Sequence, residues 1–141
     1  MRGGHLIRSS STTQKQQGLS SAESEFLAIV KGSSLILGAT NMARDLGRWF
    51  EAPQVESDSS AGKAVANRKG VGQIRHLHTP LLWVQWRVAD GTLRVVWRSS
   101  EVQWADLATK HVPEAMMLRC LEELGFRFEE GKSNLALKAA R

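Results

Sequence analysis

Tyrosine is absent from this 141-residue chain, and cysteine occurs once. The lone thiol, Cys120, excludes an internal disulfide framework and suits a reducing compartment. No apolar run approaches the roughly 20 residues that span a bilayer, so no membrane partner is expected. Acids are missing from residues 1–22, a stretch with two arginines and many serines. That composition resembles an organelle transit peptide, but Gly3-Gly4 and the Ser/Thr/Gln-rich middle make a poor amphipathic helix. Acids are missing again from residues 59–89, which carry Lys63, Arg68, Lys69, Arg75 and Arg87 with His76 and His78. The net charge is +5 and favours a polyanionic partner. The expected location is intracellular, cytoplasmic or nuclear. Length and apolar content suffice for one domain with a real core.

The longest helical pattern opens at Ser20-Ser21-Ala22-Glu23. Ser20 followed by Glu23 is a capping box, with the hydroxyl on the Glu23 backbone N–H and the Glu23 carboxylate reaching back. At 100° per residue, Glu25 shares a face with Ala22, Ala28, Ile29, Gly32, Ile36, Ala39, Ala43 and Leu46. This small-residue, apolar stripe is expected to face a sheet, with Glu23 on the opposite side among Ser34, Asn41 and Asp45. A carboxylate on a buried face calls for compensation by a metal ion or a hydrogen-bond network. A bland alternative is a helix-start acid that favours the helix dipole.

Taken in order, residues 5–10 and 14–19 read as a hairpin of two short strands turning at Ser11-Thr12-Thr13. The long helix spans 21–46, with Gly47 just past its end. Gln54 to Ser57 reads as a strand running into Asp58, and Ser59 to Asn67 as a short helix. Arg68 to Gln73 reads as a flexible basic loop. Thr79-Pro80 starts a helix with Leu81, Val84 and Val88 on one side. Asp90-Gly91 signals a turn into a strand, Thr92 to Trp97. Ser100 and Gln103 form a second capping box before a helix through Asp106. Pro113 starts a last helix with Met117, Leu121 and Leu124 on a stripe, closed by Gly125. Residues 1–128 then form one domain and 129–141 a loosely held tail. Strands alternating with helices imply an α/β fold whose sheet is at least partly parallel. Trp83, Trp86, Trp97 and Trp104 read as core or core-edge residues.

Three acids sit where chemistry could be built. Glu25 lies near the start of the long helix, Asp58 at the carboxyl end of a strand, and Asp106 in the helix after Ser100. Carboxylates from three elements can converge on divalent ions, since Mg²⁺ takes oxygen ligands and keeps several waters. Two such ions about 4 Å apart would clamp the attacking water and the leaving oxygen of a phosphodiester. Bland alternatives stand beside this. Asp58 can be a helix N-cap, Asp106 a solvated helix acid, and the basic window a solvated loop. His76-x-His78 alone is a weak metal signal.

These residues resemble the ribonuclease H domain of copia-type retrotransposon Pol polyproteins. Ser20 to Ala28 is similar to that family's SSTEAEYMA segment. Gly3-Gly4 with Ser9-Ser10-Ser11 through Gln14-Lys15-Gln16 resembles its GG…W-S-S-K-K-Q hairpin. Ser57 to Ala64 resembles its CDNQSAI strand end, and Arg75-His76-Leu77-His78 its K-H-I-D segment. Asp90-Gly91 followed by Val102 to Lys110 resembles its DG…EQLADIFTK. The likeness runs in order over residues 3–125.

The resemblance implies a ribonuclease H-like mixed sheet flanked by helices. It implies metal-dependent hydrolysis of the RNA strand in an RNA–DNA hybrid, with the reverse transcriptase part of a polyprotein as a further partner. It carries catalytic and metal-ligating roles to Glu25, Asp58 and Asp106, which would hold Mg²⁺ or Mn²⁺. The basic residues Lys63, Arg68, Lys69, Arg75, His76 and His78 would track phosphates. The family's fourth acid, an Asp on a first strand, would precede Gly3-Gly4, where only Met1-Arg2 stand. His78 replaces the Asp of K-H-I-D. The expectation is therefore a domain lacking its first strand, with an incomplete two-metal site and no activity of its own. The alternative is a non-catalytic, basic, nucleic-acid-binding remnant of a mobile element.

Overall fold

Ser20 starts the longest element of the molecule. In the computed structural model, which describes residues 9–14, 18–49, 51–72, 79–99, 104–108 and 110–126, helix α1 spans Ser21–Asp45. The Ser20 hydroxyl accepts from the Glu23 N–H at 3.2 Å. The Glu23 carboxylate accepts from the Leu19 N–H at 2.8 Å, one residue before the cap itself. Gly47 takes φ +72° just past the C-terminus, where a side chain would be strained.

The buried face of α1 is not the expected one. Glu23, Phe26, Ile29, Ser33 and Thr40 are buried, while Ala28, Ala39 and Leu46 are exposed. Glu23, expected to point outward, is 7% exposed, and Glu25 is half-buried beside that face. The two hydroxyls explain the difference. Ser33 Oγ donates to the Ile29 carbonyl at 2.7 Å and Thr40 Oγ1 to the Ile36 carbonyl at 2.8 Å. Satisfied within their own helix, they pack as small near-apolar groups that hydropathy does not register. By length and composition α1 is also apolar enough to cross a membrane, contrary to the expectation of no such segment.

Strand β1 spans Gln54–Ser57, helix α2 Ser60–Ala66, helix α3 Trp83–Ala89 and strand β2 Arg94–Trp97. A 3-10 turn at Thr79–Leu82 leads into α3, so Thr79-Pro80 opens a tighter helix than expected. Among the described residues β1 and β2 form a two-stranded parallel sheet, Val55 opposite Val95 and Ser57 opposite Trp97. The architecture is mixed α/β with four α-helices among the described residues. Parallel pairing needs a crossover, and α2 and α3 supply it. The core gathers Phe26 and Ile29 of α1, Val65 and Ala66 of α2, Leu82, Val84, Leu93 and Val95. Full burial of a side chain such as Phe26 contributes about 1.5–3 kcal/mol.

The loop after α2 is pinned rather than loose over its described part. Buried Gln85 accepts from the Gly70 N–H at 2.8 Å, and its amide donates to the Val65 and Gly70 carbonyls at 2.8 and 3.0 Å. The expected hairpin falls partly outside the described residues, at 5–8 and 15–17; Ser9 to Gln14 and Gly18 to Ser20 form no strand. There the Gln14 amide donates to the Ser24 carbonyl of α1 at 2.8 Å, and the stretch has few apolar side chains to hold it on a sheet. The capping box Ser100–Gln103 and the tail 129–141 also lie outside the described residues.

The chain divides into two compact units, Thr12–Gln103 and Met1–Ser11 with Trp104–Arg141. In the second, a 3-10 turn, Trp104–Ala108, replaces the expected α-helix, and α4 spans Glu114–Glu123. Trp104 Nε1 donates to Glu123 Oε2 at 3.0 Å. The buried residues of α4 and its cap are Cys120 and Leu124, with Met117 37% exposed. Gly125 follows at φ +82°.

Candidate active site

Asp58 follows the last residue of β1, at the carboxyl end of the parallel pair, the end where α/β sheets place ligands. The N-cap of α2 is Ser59, whose Oγ accepts from the Gly62 N–H at 3.0 Å. Asp58 is thereby released from the capping role that its position suggested. Its main-chain carbonyl accepts from Trp97 Nε1 at 3.0 Å, tying the ends of the two strands together.

Glu25 meets this segment through Gly62. A Cβ at Gly62 would lie 3.1 Å from Glu25 Cβ, 3.0 Å from Ile29 Cδ1 and 3.3 Å from Ser59 Oγ. The absence of a side chain there lets the first turn of α2 seat directly against Glu25. At Gly32, on the stripe expected to face a sheet, a Cβ would meet Val55 Cγ1 at 3.7 Å, an ordinary contact. Glu25 and Asp58 are both half-buried, and no ion pair engages either among the described residues. A hard divalent ion, the ligand expected for both carboxylates, needs few protein ligands when waters and phosphate oxygens complete its shell.

Asp106 belongs to the other compact unit. Its side chain is 14% exposed and pairs with Lys110 at 3.0 Å. Among the described residues no three His, Cys, Asp or Glu side chains are grouped to hold a metal ion.

Of the basic window, Lys63, Arg68 and Lys69 are described, while Arg75, His76 and His78 lie outside the described residues. Lys63 lines a shallow cleft of about 420 Å³ with Ser60, Ala64, Asn67 and Trp97. Arg68 turns back on its own loop and donates to the Val71 carbonyl at 2.5 Å, so its guanidinium serves the loop. Lys69 is exposed. Arg87 pairs with Asp90 at 3.5 Å.

Trp97 and Trp86, both expected in the core or at its edge, are 53% and 77% exposed. Trp97, Gly62 and Ser59 were not singled out as site residues. The pairing of Ser57 with Trp97 brings the indole to Asp58, and that pairing is a long-range fact that spacing does not encode.

No family model, no curated protein and no solved structure matches the chain.

Proposed function

We propose that the chain is a ribonuclease H-like domain of a copia-type retrotransposon polyprotein, built for metal-dependent hydrolysis of RNA in RNA–DNA hybrids. The observation that supports this reading is the seating of Glu25 against the first turn of α2, directly after Asp58 at the carboxyl end of β1. In the family it resembles, a helix Glu and a strand-end Asp share the metals. Glu25 and Asp58 would hold Mg²⁺ or Mn²⁺. When bound, the ions supply Lewis acidity at the scissile phosphodiester. Lys63, lining the cleft beside Trp97, adds a cation for the nucleic-acid backbone.

Residues 1–141 carry three of the four acids that the family pattern uses. A site short of one carboxylate holds two mutually repelling cations poorly, and misplacement by about 1 Å can cost about 100-fold in rate. The decisive experiment joins an Asp-bearing strand to the N-terminus and measures cleavage of a labelled hybrid with Mg²⁺. Expected are background rates for residues 1–141, a gain on adding the strand, and its loss in Glu25→Gln and Asp58→Asn. Robust cleavage by residues 1–141 that survives Asp58→Asn would refute the site assignment.

The Asp106–Lys110 pair favours the second reading, a non-catalytic nucleic-acid-binding remnant, because an acid already paired with the lysine four residues on is a poorer metal ligand. That reading predicts sequence-independent binding to hybrid and DNA duplexes that falls steeply with salt. No binding to either at low salt would remove it.

A further inference from the structure

Helix α1 carries a second apolar stripe that its own fold leaves uncovered. Leu35, Met42 and Leu46 are 45%, 62% and 75% exposed, and Ala39 between them is exposed. Their spacing is four, three, four, the repeat of a two-helix seam rather than of a helix lying on a sheet. The stripe lies nearly opposite the buried face of Phe26, Ser33 and Thr40, about 16 Å long at 1.5 Å per residue.

Two further observations say what covers it. Gly38, beside Ala39 at the middle of the stripe, would meet nothing within 4 Å if it carried a Cβ. A helix-interior glycine costs about 1 kcal/mol relative to alanine, and no contact among the described residues accounts for it. A small pair at the midpoint lets a second helix approach closely. The flanking charges are also self-complementary. Lys31 precedes the stripe and Asp45 ends the helix on the same flank, at nearly equal distances from Gly38-Ala39. Asp45 has no ion-pair partner among the described residues. Lys31 spends one of its three donors on the Thr12 hydroxyl.

We infer that the stripe is the interface of an antiparallel homodimer, α1 against α1, about a two-fold axis between Gly38 and Ala39. In that arrangement Leu35 faces the partner's Met42, and Lys31 lies across from the partner's Asp45. Isologous symmetry makes each contact occur twice. The inference is independent of the catalytic reading, since neither Glu25 nor Asp58 lies on the stripe.

Sedimentation equilibrium of the full chain over a concentration series tests this. A reversible dimer is expected, with Leu35→Asp and Met42→Asp each monomeric while circular dichroism is unchanged. Lys31→Glu should weaken the dimer about five-fold, and the double variant Lys31→Glu with Asp45→Lys should restore it. That rescue is specific to the antiparallel arrangement. A chain that stays monomeric up to about 100 µM overturns the proposal, as does a dimer indifferent to Leu35→Asp and Met42→Asp. A monomer that co-sediments with phosphatidylcholine vesicles overturns it in favour of a lipid surface.

Discussion

The N-terminal and C-terminal halves of α1 carry similar side chains and meet different surroundings. Phe26 and Ile29 are sealed against α2 and the strands, whereas Leu35, Met42 and Leu46 face outward. The contrast teaches that apolar content identifies a helix, while the elements that arrive against it decide which apolar residues are core. Glu23 and Glu25 sharpen the lesson. The carboxylate that periodicity assigned to the outside is buried and accepts from the Leu19 N–H.

The largest test of this contrast pairs Phe26→Ala with Met42→Ala. The first should lose about 3–5 kcal/mol of stability because it opens a cavity in the core. The second should stay within about 0.5 kcal/mol in the monomer. Urea denaturation at low protein concentration measures both, and similar losses would erase the distinction between the halves.

Glycines provide a finer test. Gly62→Ala improves helix propensity but pushes a methyl against Ile29 and Glu25, and should cost about 1–3 kcal/mol. Gly38→Ala meets open space and should gain up to about 1 kcal/mol in the monomer. Stabilisation by both would show that α2 does not seat closely against Glu25. Ser59→Ala removes the N-cap of α2 and should cost about 1 kcal/mol, while Asp58→Ala should not reproduce a cap loss. Equal losses would return the capping role to Asp58.

The smallest expected effect lies at the turn before β2. The Thr92 hydroxyl and backbone N–H donate to Asp90, and Arg87 lies nearby, so its carboxyl sits below the ordinary carboxylate value. A lowered folded-state pKa contributes stability above the unfolded value, lost as pH falls through the folded one. The difference between wild type and Asp90→Asn should be constant at neutral pH and shrink only in that acid window. A constant difference down to pH about 2 would remove Asp90 ionisation as its source.

Much of the element order was legible because its signals are local. The capping box at Ser20, the glycines at 47 and 125 and the strand at Gln54 to Ser57 each depend on neighbours within a few residues. The candidate site was legible only in part. Glu25 and Asp58 were named, but Gly62 and Trp97, which bring their segments together and tie the strand ends, were not. Gln85 was equally silent, although it holds the loop at Gly70 from a distance of fifteen residues.

By itself the sequence determined where α1, β1, α2 and α4 begin and end, since caps and turns are settled by hydrogen bonds a few residues apart. Tertiary structure alone decided the rotation of α1 and the register of β1 against β2, Val55 opposite Val95. Each depends on which distant surface excludes water from a given face. Ser33 and Thr40 hide that choice from periodicity, because their hydroxyls are satisfied inside the helix and pack as though apolar.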